Sequence, residues 1–162
     1  MDCCESSAER QLQLRAAMLT NPDDINNLTH DIIGGAIYMH RKLGGPGLLE
    51  STYSVCLVAE LKSRGHTVDR NVPVPIVYRG IRIEAAYWID ILVDNRVIVE
   101  LKSVERFHAV HVAQMLTYLR LTNRRVGLLI NFNVQVLKDG IRRVINAKPP
   151  IDDEVARTGN HP

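Results

Sequence analysis

The chain has 162 residues, 46% of them hydrophobic and 23% charged, with a formal net charge of +2. That length supports one domain with a sizeable core and is short for two, and the near-neutral charge excludes a polycation that grips nucleic acid non-specifically, so any phosphate site has to be a local patch. Two Phe, one Trp and five Tyr leave little for an aromatic stacking platform, and no apolar run approaches the roughly 18 residues of a membrane span.

Residues 1–20 read as a polar N-terminal arm with some helix propensity over 9–18. Cys3, Cys4 and Cys56 are odd in number and lack metal-ligand or disulfide spacing. Cys3-Cys4 has no apolar signal core beside it, so secretion and lipoprotein processing are not expected and the protein is read as cytoplasmic. Asn21-Pro22-Asp23-Asp24 starts a helix, with Pro in the first turn and acids at the positive end of the dipole. Ile25, Leu28, Ile32, Ile33, Ala36 and Ile37 form its apolar face, and Gly44-Gly45-Pro46-Gly47 stops it.

A second helix is expected from about Leu48 to Arg64, with Leu49, Tyr53, Cys56, Leu57 and Leu61 at helical spacing and Gly65 as its stop. Cys56 is expected to be buried there. Val72 to Tyr78 carries two prolines and so predicts an edge strand. Arg79-Gly80 turns the chain into a short strand over Ile81 to Glu84, and a hairpin around Asp94-Asn95-Arg96 follows.

A third helix is predicted from Phe107 to about Leu121. The run Arg125-Val-Gly-Leu-Leu-Ile-Asn131 predicts a strand covered on both faces. Val134 to Leu137 and Ile141 to Ile145 read as short closing strands around Asp139-Gly140. Residues 149–162 are expected to be a flexible tail, leaving 21–148 as a single domain. The order ααβββαββ makes this an α/β protein.

Charges interrupt the hairpin where a buried one should have none. Asp90 breaks the first strand, and Glu100 and Lys102 break the end of the second. Burying a lone carboxylate costs several kcal/mol, roughly, so such a group pairs or binds a cation. Glu100 and Lys102 share a face, being two apart in a strand. A three-residue loop centred on Asn95 sets Asp90 opposite Glu100 on that face, whereas a two-residue loop pairs Asp90 with Val99. We favour the three-residue loop. Two carboxylates and a lysine then suit a divalent metal beside a phosphate. An ordinary salt bridge from Lys102 to Asp90 or Glu100 is the competing reading.

Other residues bear on that choice. Glu50 lies in the first turn of the second helix, where an acid favours the dipole or, brought in by the glycine-rich bend, supplies a third carboxylate. Gln114 and Tyr118 are four apart on one helix face. They are either boundary residues or a pair that orients a phosphate and a water. His108 and His111 lack the partners of a zinc set and read as helix-boundary residues. Arg124-Arg125 and Arg142-Arg143 are the local basic pairs, read as solvated charge or phosphate contacts.

Gly47-Leu-Leu-Glu50-Ser-Thr-Tyr53 resembles the motif that names the GxxExxY proteins. The resemblance continues through Asp90, Val99-Glu-Leu-Lys102, Gln114-Met-Leu-Thr-Tyr118 and Gly127-Leu-Leu-Ile-Asn-Phe132, over residues 25–146. That family resembles a branch of the PD-(D/E)XK nuclease-like superfamily, which implies a restriction-endonuclease-like mixed β-sheet flanked by helices. The resemblance further implies that Asp90 and Glu100 ligate Mg2+ or Mn2+, with Glu50 and the Leu101 carbonyl as further ligands. Lys102 would orient water and stabilise the transition state, and Gln114 and Tyr118 match the Gln-x-x-x-Tyr signature of RecB-like nucleases. Ile89 and Trp88 depart from the pattern, since a small or polar residue and an arginine are usual there. The implied partner is nucleic acid, DNA in the first instance, and not a membrane. The function expected is hydrolysis of phosphodiester bonds. The alternatives are a catalytically inactive nucleic-acid-binding or regulatory module, and a homodimer whose second subunit completes the groove.

Overall fold

A computed structural model describes residues 22–147, so the predicted arm over 1–20 and the tail over 149–162 lie outside the described residues. Helix α1 spans Pro22–Lys42, with Asp23 and Asp24 in its first turn and His40, Arg41 and Lys42 in its last. Acids at the start and bases at the end both complement the helix dipole. Ile25, Leu28, Ile32, Ala36 and Met39 are buried along one stripe, while Ile33 and Ile37 are partly buried beside them. The helix stops where Gly44 and Gly45 take φ of +88° and +93°, a region costly for residues with a Cβ.

Helix α2 spans Glu50–Ser63 and buries Tyr53, Ser54, Leu57 and Leu61. Leu49, expected on the apolar face, precedes the helix and is largely exposed; Cys56 is only partly buried against the core.

Strands β1 (Val68–Tyr78), β2 (Ile81–Val93), β3 (Val97–Lys102), β4 (Val126–Asn131) and β5 (Ile141–Ile145) form one sheet in sequence order. β3 and β4 run parallel and the other neighbours antiparallel. Helix α3 (Ala109–Leu121) makes the parallel crossover. β1 is an edge strand, as its prolines predict. The separate strand expected over residues 81–84 is instead the start of one thirteen-residue β2, and a register shift between Val74 and Ile76 accommodates Pro75. All six residues of β4 are buried.

The expected strand over residues 134–137 is not formed. Ile130 already pairs with Ile141, so residues 132–140 are the whole reversal between β4 and β5. Leu137–Gly140 is a 3-10 turn there. Gly140 packs so close that a Cβ would lie 2.3 Å from the Asn131 carbonyl oxygen.

The sheet separates two apolar cores. Against α1 and α2 lie Ile91, Val93, Val97, Val99, Leu101, Leu128 and Ile130. Against α3 lie Ile89, Leu92, Ile98, Leu129 and Val144, with Met115, Tyr118 and Leu119 of the helix. Close approach of α3 to β4 depends on Gly127, where a Cβ would stand 2.2 Å from Met115 Sδ. No described helix is long and apolar enough to cross a membrane.

Candidate active site

Val93 pairs with Val97 and Ile91 with Val99, leaving Asp94, Asn95 and Arg96 as a three-residue loop. That is the register expected from the charges, and continued by one residue it sets Asp90 opposite Glu100. Asp94 and Asn95 take φ of +50° and +55°, which Asp and Asn tolerate better than most residues. The loop is held from three sides. Asp94 accepts hydrogen bonds from the Thr67 N–H (2.8 Å) and from His66 Nδ1 (2.8 Å). Arg96 Nη1 donates to Asp24 of α1 (2.6 Å), and Arg124 Nε donates to the Asn95 carbonyl (3.3 Å).

One residue before that register is reached, β2 changes face. Ile91 and Val93 pack towards α1 and α2, whereas Leu92 and also Ile89 pack towards α3. Strict alternation would put Ile89 with Ile91, so the break falls at Asp90. β1 breaks in the same place: Val68 packs towards α1 and α2, Val72 and Val74 towards α3, with Asn71 at φ +50° between them. The two strands flip together while their register across the break is kept.

The flip frees Asp90 from the ladder, and its carboxylate Oδ2 accepts the Leu101 N–H at 2.9 Å. In return the Asp90 N–H donates to Glu100 Oε1 at 3.2 Å. Glu100 is 2% exposed. Alternation with Val99 and Leu101 turns it to the α3 side of the sheet. Burial, and then the neighbouring Asp90 carboxylate, push its pKa up to about 8, against the opposing pull of Lys102. Lys102 Nζ stands 3.5 Å from Glu100 Oε2, so the competing salt bridge exists but is long.

Glu50 arrives from α2. Its Oε2 accepts the N–H of Ser103, just past β3, at 3.0 Å. The loop before it is closed by Tyr53, whose hydroxyl donates to the Gly45 carbonyl (2.8 Å) and accepts the Leu48 N–H (3.3 Å). The Tyr53 ring stacks on Phe132 at 4.3 Å. Glycine bend, acid and tyrosine thus form one device that sets Glu50 against the end of β3.

An open cleft of about 330 Å³ is lined by Glu50, Ser51, Ser54, Arg70, Asn71, Asp90 and Leu101. Asp90, Glu50 and Leu101 line it together, whereas Glu100, on the α3 side, does not, so the two acids do not share the one face that their opposed register implied. Among the described residues no three His, Cys, Asp or Glu side chains form a ready metal cage. The Asp90 and Glu100 carboxylates still fit a hard cation: they are adjacent, oxygen-only, and the buried one is held back from ionising by its burial and then by the other. Cys56, the described free cysteine, lies on α2 outside the cleft lining.

On α3, Gln114 Nε2 donates to Tyr118 Oη at 2.6 Å. Tyr118 is buried and meets Tyr87 edge-on at 5.4 Å. Burial, followed by the Glu100 charge, pushes its pKa up to about 12, so it is a hydroxyl donor at neutral pH. His108 and His111 serve the helix entry, the His108 N–H donating to His111 Nδ1 at 3.2 Å. Of the basic pairs, Arg124 is bound to the β2–β3 loop and Arg143 to Asn26 of α1.

Arg70, Asn71 and Ser54 were not foreseen as part of the site. Arg70 and Asn71 flank the strand flip, which no spacing marks, and Ser54 lies one helical turn after Glu50 on α2. Asn131 is a further positioning residue: its side chain accepts the Val104 N–H (3.1 Å) and donates to the Val104 carbonyl (2.8 Å), fixing the segment after Lys102. An Asn ending an apolar strand was the available signal.

The family model of the PD-(D/E)XK nuclease superfamily matches residues 26–144, from within α1 to within β5. Neither a curated protein nor a solved structure is significantly similar to the chain. The five-stranded mixed sheet between helices, and the matched stretch that takes in Glu50, Asp90, Glu100, Lys102, Gln114 and Tyr118, agree with a restriction-endonuclease-like fold. The chain belongs to the PD-(D/E)XK nuclease superfamily.

Proposed function

We propose that this protein is a Mg2+- or Mn2+-dependent nuclease that hydrolyses phosphodiester bonds in DNA. The observation that carries the reading is the buried Glu100 set against Asp90, with Lys102 beside it, inside a sequence of this superfamily. Asp90 and Glu100 would hold the ion, with the Leu101 carbonyl and Glu50 as the remaining protein ligands. When bound, the ion supplies Lewis-acid polarisation of the scissile phosphate and a lower pKa for an attacking water. Lys102 contributes a positive charge to the phosphoryl oxygens as negative charge grows there. Gln114 orients the Tyr118 hydroxyl, which donates to a phosphate oxygen.

Purified protein is expected to cut DNA with Mg2+ or Mn2+, and Glu100→Ala or Lys102→Ala to abolish cutting. Identical cutting by wild type and both variants would mean contamination and end the proposal.

The second reading, a nuclease-fold binding module without catalysis, is favoured by the engagement of Glu50 with Ser103 and by the absence of a three-acid cluster among the described residues. Calorimetric titration with Mn2+ separates the two. Micromolar binding lost in Asp90→Ala supports the nuclease, and no binding by wild type supports the module.

A further inference from the structure

Two residues beside the carboxylates have no role in the chemistry above. Arg70 lines the cleft as its only basic side chain. Its Nε donates to Ser54 Oγ of α2 at 3.1 Å, which aims the guanidinium, and among the described residues no carboxylate pairs with it. The other N–H groups of its fork remain for an anion, and a planar fork suits a phosphate better than a point charge does.

Trp88 is the one tryptophan of the chain and is 53% exposed. Tyr87 packs on Tyr118 and Ile89 in the α3-side core, so Trp88, between them, faces the other way. That is the side on which Arg70 meets Ser54. Trp88 also stands two residues from Asp90, about 7 Å along the strand. A large apolar ring left in water on the same side of the sheet as the Arg70 guanidinium, two residues along the strand from Asp90, is a good nucleotide platform.

We propose that the cleft takes single-stranded nucleic acid, with a backbone phosphate on Arg70 and a neighbouring base stacked on Trp88. The inference rests on the nuclease reading and adds its substrate class. Bases in a duplex are stacked on one another and present only their edges, so a tryptophan face selects a strand whose bases are free. The low aromatic content of the chain is no obstacle, because one exposed ring two residues from Asp90 suffices for one base.

The single tryptophan makes the test direct. Wild-type protein, with Ca2+ replacing Mg2+ to suppress cutting, is titrated with a short oligodeoxythymidine and with the corresponding duplex while Trp88 fluorescence is read. Quenching by the single strand is expected, with duplex binding about tenfold weaker or more. Arg70→Ala should weaken strand binding about tenfold and lower the slope of log affinity against log salt by about one. Arg70→Lys should recover part of that loss, and Lys62→Ala on the exposed end of α2 should cost little. With a labelled strand followed by anisotropy, Trp88→Ala should lose about tenfold in affinity and Trp88→Phe much less.

Equal binding of strand and duplex, absent quenching, or equal losses in Arg70→Ala and Lys62→Ala would overturn the inference while metal-dependent cutting stands. Wild-type protein that neither binds a strand nor cuts one would overturn the nuclease reading and this inference with it.

Discussion

Asp90 and Glu100 replace part of the β2–β3 ladder with their own side chains: the Asp90 N–H donates to Glu100 Oε1, and the Leu101 N–H donates to Asp90 Oδ2. Each carboxylate therefore helps seat the strand of the other. Ladder pairing of β2 with β3 ends at Ile91 and Val99, and the acids satisfy backbone groups just beyond it.

Stability should fall with pH because of Glu100. Its folded-state pKa of about 8 lies above its ordinary 4.5, so its favourable contribution is complete below about pH 4.5 and is lost as pH rises to 8. Glu100→Gln keeps the shape without the charge. It should be more stable than wild type at pH 8 by about 2–4 kcal/mol, and much closer to it at pH 4. Urea unfolding at the two pH values measures this, and a constant difference would show that Glu100 ionises normally.

Metal affinity should run the other way. A cation held by Asp90 and Glu100 requires the Glu100 proton to leave, so Mn2+ binding should tighten by up to about tenfold per pH unit below pH 8 and level off above it. Calorimetry in two buffers of different ionisation heat counts the proton. A pH-independent affinity would mean that Glu100 is not a ligand.

Tyr53 gives a structural prediction about Glu50. Tyr53→Phe removes the bonds to Gly45 and Leu48 and should cost about 1–2 kcal/mol. If that loop sets Glu50, the Ser103 amide, which Glu50 accepts, should exchange with deuterium about tenfold faster. Unchanged exchange at Ser103 would separate the two residues.

His66 ties the β2–β3 loop to α1. Its Nδ1 meets Asp94 and its Nε2 meets Asp31, each at 2.8 Å, and Arg64 bridges Asp31 to Glu60. Both ring nitrogens can donate only in the charged form. Burial opposes that form, but the bonds to Asp31 and Asp94 outweigh it and raise the pKa above its ordinary 6.5. The clamp is therefore complete below pH 6.5 and weakens as pH rises through the higher folded value. His66→Gln should cost about 1 kcal/mol at pH 6, since its partners are partly exposed, and less at pH 9. Thermal unfolding at both values decides, and an equal cost at both would assign His66 a packing role alone.

Much of this is legible in the sequence. Periodicity placed the three helices, prolines placed β1 at an edge, and an unbroken apolar run placed β4 in the interior. Asp90, Glu100 and Lys102 stood out because an apolar hairpin has no other reason to hold charge. The three-residue loop followed from requiring the two acids to oppose each other. The strand expected over residues 134–137 is absent because β4 pairs directly with β5, which leaves Val134 and Val136, despite their strand propensity, in the reversal between them. Leu49 failed because helical spacing cannot say where the helix begins.

The sequence by itself determined which residues carry charge into the sheet and which helix brings the third acid, because burial and alternation are local rules readable from spacing. Only the tertiary structure decided that β1 and β2 change face together at Asn71 and Asp90, leaving Arg70 in the cleft lining and Trp88 on the same side of the sheet. A left-handed residue in one strand and a broken alternation in its neighbour leave no periodic trace. They persist because two apolar cores on opposite faces of the sheet each claim one half of the same strands.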